Sequence, residues 1–160
     1  ARFLQQLGER MEAATEADWQ ALQVAAGIAR IEAGTTGEFI PQMLNYDATG
    51  HISFNKGCYT GQEVVARMHY RGKPKRRLYR AAVELSELPA SLRVAAGDPL
   101  FGGDSSQAAG NVVNAVATPD GQLALLVTAT TSGIDTGLHL SDPGGPLIRT
   151  EPVPYPVSEK

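Results

Sequence analysis

The chain has 160 residues, 42% hydrophobic and 19% charged, with a net charge of −3; that is enough for one globular domain or two small ones. No apolar run nears the ~20 residues that cross a bilayer and no basic-then-apolar leader is visible, so neither a membrane span nor secretion is expected. A single cysteine excludes an internal disulfide, excludes an iron–sulfur cluster held by four thiolates of one chain, and fits a reducing cytoplasm.

In chain order, Phe3, Leu4, Leu7 and Met11 fall at helical spacing and predict a first amphipathic helix. Thr15-Glu16-Ala17-Asp18 has the form of a capping box and opens a second helix through Trp19, Leu22, Val24 and Ala26 towards Ile28. Trp19 is the only tryptophan. On chemistry alone it is either a core residue or an aromatic face for a flat ligand. Residues 33–51, rich in Gly, Thr, Pro and Asn, predict a long irregular loop, a length that in a compact domain is often functional. Ile52-Ser53-Phe54 then reads as the end of a strand.

The most informative run follows: Lys56-Gly57-Cys58-Tyr59-Thr60-Gly61-Gln62-Glu63. Thr60 and Glu63 have the spacing of a second capping box, with a helix over Gln62 to Met68 that Gly72 and Pro74 stop. Cys58 is thereby placed two residues before a helix N-terminus, where the backbone dipole favours an anion, with Lys56 adding positive charge. Two readings of Cys58 stay open: an exposed thiol that attacks, carries or transiently ligates something, or a small buried residue in a tight turn. A Cys–His dyad needs His51 or His69 within reach, whereas His139 reads as an ordinary surface or strand residue. Gly57 and Gly61 are expected to take backbone conformations closed to other residues. Gln62 and Glu63 read as capping groups, and Arg67 as an i,i+4 partner of Glu63.

Charge is uneven along the chain. Residues 1–77 carry 10 Lys+Arg against 8 Asp+Glu, and residues 78–160 carry 4 against 9. Arg71, Lys73, Lys75, Arg76 and Arg77 cluster within seven positions, a pattern that suits polyanions such as RNA phosphates or, equally, a solvated strap between domains. His69, Tyr70 and Tyr79 flank the cluster without entering it, which gives base stacking slight support.

Beyond Gly72 the period changes to two. Tyr79, Ala81, Val83 and Leu85 alternate with Arg80, Ala82 and Glu84, which predicts a strand. Val112–Thr118 and Gln122–Thr130 predict strands joined by a turn at Pro119-Asp120-Gly121, and Asp142-Pro143-Gly144-Gly145-Pro146 predicts another turn. Three prolines within Leu147–Val157 assign any strand there to a sheet edge. Short strands between turns point to a small antiparallel barrel. The expected fold class is α+β, with a helical part over residues 1–74 and a C-terminal β-barrel over 75–160.

Lys-Gly-Cys-Tyr-x-Gly-Gln-Glu, as it stands at 56–63, resembles the hallmark of the YgfZ group of folate-binding proteins. That group is related to the GcvT-like aminomethyltransferases, the T-proteins of the glycine cleavage system. Gly37-Glu38-Phe39-Ile40-Pro41-Gln42, Ile52-Ser53-Phe54, Val65-Ala66-Arg67 and Lys75-Arg76-Arg77-Leu78 resemble the same group in the same order. Its full chains are about twice this length, so the resemblance covers their C-terminal part. The start at Ala1, without Met, is read the same way, as a fragment.

The resemblance implies an α/β remnant of the folate-binding domain and a barrel around a central folate pocket, with tetrahydrofolate or a derivative as cofactor. It implies a role in maturing iron–sulfur enzymes and modifying tRNA. Partners would then be the folate, iron–sulfur enzymes or their assembly machinery, and tRNA. By the same resemblance Trp19 matches a tryptophan at the folate site, where a flat ring stacks for ~0.5–1.5 kcal/mol beyond burial. The basic cluster would suit the glutamate tail. The catalytic aspartate of the aminomethyltransferases belongs to the absent portion. Their Arg-x-Glu-Ala-Gly segment falls on Gln23-Val24-Ala25-Ala26-Gly27, which lacks both charges, while Arg30-Ile31-Glu32-Ala33-Gly34 spells the pattern seven residues late. Three readings therefore stand in order: a folate-binding accessory protein, a one-carbon transferase, and an RNA-binding module.

Overall fold

The computed structural model describes residue 8 and residues 11–103 and 105–158. The first helix expected over Phe3, Leu4 and Leu7 lies outside these residues, and Met11 is exposed. Six antiparallel strands close a barrel in the order β1-β4-β3-β2-β5-β6. They are β1 (Arg77–Glu84), β2 (Pro99–Gly102), β3 (Ala108–Ala117), β4 (Gln122–Ala129), β5 (Leu138–Leu140) and β6 (Leu147–Glu151). Three helices accompany it among the described residues: α1 (Glu16–Ala26), α2 (Gln62–Arg71) and α3 (Thr131–Thr136). The fold is α+β with a small barrel, as the change of period predicts.

Strand β1 pairs with β4 from Arg77↔Ala129 to Glu84↔Gln122. Its alternation sends Ala81 and Val83 into the barrel with Tyr79 packed against them, and Leu78 to the outside. The β3–β4 hairpin turns at residues 118–121, where the Gln122 carbonyl accepts from Thr118 N–H (2.8 Å) and the Thr118 carbonyl from Gly121 N–H (3.1 Å). Leu123-Ala124-Leu125-Leu126-Val127 is nearly continuous in apolar residues, the pattern of a strand covered on both faces. Leu125 and Val127 fill the barrel with Leu100, Val112, Leu138, Leu140 and Ile148. Leu126, on the other face, joins Val24, Ala29, Leu44, Leu78, Val113 and Val116 in a second core beneath α1 and the 33–51 loop. A bulge in β3 between Val112 and Asn114 turns Val113 outwards, so adjacent valines serve different cores.

The 33–51 loop is irregular, as expected, but it is packed. It contains two 3-10 turns, Ala33–Thr35 and Pro41–Leu44, and buries Thr35, Gln42, Leu44 and Asn45. Asn45, in the left-handed region at φ 55°, donates from Nδ2 to the Leu78 carbonyl (3.0 Å) and accepts from Leu78 N–H (3.4 Å). Its amide thus takes the place of a neighbouring strand, because β6 pairs with β1 only over Arg80, Ala81 and Ala82.

Several expectations need correction. Leu85 is not in β1; it begins a short 3-10 turn, Leu85–Glu87, and is exposed. β6 is not an edge strand, since it pairs with both β1 and β5, and Pro152, Pro154 and Pro156 all lie beyond its last residue, where they cost no ladder bond. Ile52-Ser53-Phe54 forms no strand; it is irregular chain that bends from Phe54 into the octapeptide. No helix among the described residues is long and apolar enough to cross a membrane.

Candidate functional site

Helix α2 carries the octapeptide's second half and starts at Gln62, as its sequence predicts, but runs on past Met68 to Arg71 and is capped by a different residue. Its N-cap is Gly61, at φ 85°, with no side-chain cap. The capping box on Thr60 is therefore not formed: Gly61 takes the cap in a conformation that glycine adopts at no steric cost, and Thr60 lies outside it. Glu63 consequently has no reciprocal bond, and it forms no ion pair with Arg67 among the described residues. Cys58 sits three positions before the cap, beyond the first turn in which a helix dipole acts. Of the two glycines flanking Cys58 and Tyr59, only Gly61 takes a positive φ.

Cys58 is exposed, which removes the reading of a buried packing residue. No hydrogen bond to Cys58 occurs among the described residues, so neither His51 nor His69 completes a dyad. His51 Nδ1 bonds Thr49 Oγ1 at 2.7 Å and its ring stacks on Tyr46. His139 Nδ1 donates to the Gly145 carbonyl (2.8 Å) and braces the β5–β6 turn. Lys56 Nζ lies 5.3 Å from the Tyr59 ring centroid, a cation–π contact within the octapeptide. No group of three metal-ligating side chains occurs among the described residues.

Beside the octapeptide stands a cluster that the sequence did not announce. The rings of Phe54 and His69 stack at 3.6 Å and 13°, and Tyr70 meets His69 edge-on at 4.8 Å and Phe54 at 6.4 Å. Residues fifteen apart, one in a loop and one on a helix, carry no local pattern that pairs them. Only the adjacency of His69 and Tyr70 to the basic cluster hints at the arrangement.

The basic cluster itself divides. Arg77 donates to both oxygens of Asp47 (2.9 and 3.0 Å) and to the Gln42 carbonyl (2.8 Å), and each partner of this pair keeps only 17% of its side chain exposed. Arg76 donates to Asn111 Oδ1 (2.8 Å) and the Ala108 carbonyl (3.0 Å). Arg76 thus fastens the strap to β3, and Arg77, the first residue of β1, ties the barrel to the 33–51 loop. Arg71, Lys73 and Lys75 are exposed and have no carboxylate partner among the described residues.

Trp19 lies on α1 and is 57% exposed, so it is no core residue; Leu22, one turn on, is exposed beside it. Arg30 and Glu32 are fully committed elsewhere. Arg30 pairs with Glu16 (3.1 Å) and Glu32 (3.4 Å), and Asn114 binds the Glu32 carboxylate (2.7 Å) and both backbone groups of Arg30. A groove of about 580 Å³ runs between α1 and β1/β4, lined by Leu22, Ala25, Arg80 and Ala82 among others, and a cleft of about 540 Å³ lies between Lys73, Tyr79 and Tyr155. Neither is lined by Trp19 or Cys58.

No protein-family model matches the chain. It is 39% identical over 143 residues to the tRNA-modifying protein YgfZ of Escherichia coli O7:K1 (strain IAI39 / ExPEC). It is 40% identical over 144 residues to that of Klebsiella pneumoniae (strain 342), and 38% identical over 143 to that of Shigella boydii serotype 18. Each match takes in 88% of this chain. Over that stretch the chain belongs to the YgfZ family.

The chain spans 42% of the length of these curated relatives. Within this YgfZ segment, what is available to a ligand is plain from exposure: the octapeptide with Cys58, the Phe54–His69–Tyr70 rings, the cations Arg71, Lys73 and Lys75, and, on α1, Trp19.

Proposed function

We propose that this chain is part of a protein that acts in tRNA modification, in the cytoplasm, as a tetrahydrofolate-binding accessory to the maturation of iron–sulfur enzymes. One observation carries the proposal: 38–40% identity across 88% of the chain to proteins named for tRNA modification. Two features support its finer parts. The exposed indole of Trp19, with Leu22 beside it, offers an apolar face of the kind a pterin ring stacks on. The exposed thiol of Cys58, free of any internal hydrogen bond among the described residues, is available as nucleophile or transient ligand. The one-carbon transferase reading has less behind it, because the only Arg-x-Glu-Ala-Gly pattern is spent holding the chain to β3.

The test is mass spectrometry of tRNA from cells lacking the full-length protein, rescued with wild type or with Cys58→Ser. The expected result is depletion of a methylthiolated adenosine, restored by wild type and not by the stably folded variant. Unchanged tRNA in the deletion would overturn the proposal. Full rescue by Cys58→Ser would remove Cys58 from it.

A further inference from the structure

The Phe54–His69–Tyr70 cluster belongs to neither hydrophobic core. Phe54 is half-buried, but His69 is exposed and Tyr70 keeps 69% of its surface in water. Aromatic rings normally repay their ordering by burial; these are ordered against each other at the surface instead. The same short stretch concentrates positive charge in a chain whose net charge is −3: residues 54–77 hold seven Lys+Arg and one Asp+Glu. Arg76 and Arg77 are consumed internally, which leaves Arg71, Lys73 and Lys75, one, three and five positions beyond Tyr70 in the chain, without a carboxylate partner among the described residues.

From this juxtaposition we propose that the face binds a looped, single-stranded segment of RNA. Bases stack on Tyr70 and on the open side of His69, while Arg71, Lys73 and Lys75 meet the phosphates. The proposal rests on the tRNA-modification reading above and deepens it by placing a direct RNA contact on this chain. Rings explain why a single strand is favoured over a duplex: a base already stacked within a helix has no face to offer. The pre-formed Phe54–His69 stack explains why a cluster is used in place of an isolated tyrosine, since a platform that is already ordered loses little freedom on binding.

The test uses the full-length protein and a fluorescent, unmodified tRNA anticodon stem-loop, with a duplex of equal length and an anionic phospholipid vesicle as comparisons. The logarithm of affinity for the loop is expected to fall with the logarithm of salt at a slope of about −2, from three phosphate contacts at about 0.7 each. Tyr70→Ala is expected to weaken binding about tenfold and Tyr70→Phe to retain it. Lys73→Gln combined with Lys75→Gln should flatten the slope by about 1.4. Affinity unchanged in Tyr70→Ala, equal affinity for the duplex, or binding only to vesicles would each overturn the interface. If deletion cells lose the tRNA modification while the protein binds no RNA, this interface fails and the functional proposal stands; RNA binding with intact modification gives the reverse.

Discussion

Arg77 and Lys75 are two positions apart in one basic run, yet they do unrelated work. Arg77 is held in a largely buried pair with Asp47, and removing its charge leaves that carboxylate without its cation and takes from the Gln42 carbonyl one of two donors, Asn45 N–H being the other. Arg77→Gln is therefore expected to cost about 3 kcal/mol in urea unfolding, as for a broken buried pair. Lys75→Gln should stay within about 0.5 kcal/mol, as for an exposed charge with no partner. Equal losses for the two would refute the division of the cluster. The sequence shows the run of charge but not this division, because Asp47 sits 30 residues away in an irregular loop. Exposure was equally hidden for Trp19 and Cys58: composition leaves both burial readings open, and only the packing of α1 and the turn before α2 decides them.

The two longer helices show how far local spacing carries. The Thr15–Asp18 box forms in full. Thr15 N–H and its hydroxyl both donate to Asp18 Oδ2 at 2.7 Å, and Asp18 N–H returns to Thr15 Oγ1 at 3.1 Å. The Thr60–Glu63 box, identical in spacing, is displaced by a glycine whose φ no motif records. Thr15→Ala is expected to destabilise the protein by ~1 kcal/mol in thermal or urea melts. Acid should loosen the same helix end. The backbone N–H and then the hydroxyl of Thr15 hold Asp18 below its ordinary 3.8, and hydrogen bonds from Gln20 and then Arg30 hold Glu16 below 4.5. Folded values below the unfolded ones mean that the contribution is present above about pH 4.5 and drains away as pH falls through the lowered values. Circular dichroism from pH 6 downwards should show partial helix loss before the barrel unfolds; in Thr15→Ala the part owed to Asp18 should shrink, because the backbone N–H bond remains and only the hydroxyl's is lost. The strand signals were legible wherever alternation was clean, as in β1. The short strands β2 and β5 and helix α3 escaped because three to six residues are too few to establish a period.

At the scale of the molecule, β4 is the shared wall of two hydrophobic cores, and neighbouring leucines 125 and 126 belong to different ones. The expected boundary near residues 72–77 follows the change of period, but the helical part and the barrel bury their surfaces against each other. A chain restricted to residues 75–160 would uncover Leu78, Val113, Val116 and Leu126 together. It is expected to bind a hydrophobic dye that the 160-residue chain does not, and to unfold at lower urea. Dye binding by neither would mean that the barrel closes over that face by itself.

Helix α2 stands largely apart from this framework. Val65 is its one buried side chain, and the Gln42 amide reaches the Val65 carbonyl at 2.7 Å. A segment held by this mooring and by the Phe54–His69 stack near its other end opens at lower free energy than the walls around it. The turn that carries Cys58 can therefore loosen and reseat while the barrel stays closed, and the Phe54–His69 stack keeps the rings beside it in place.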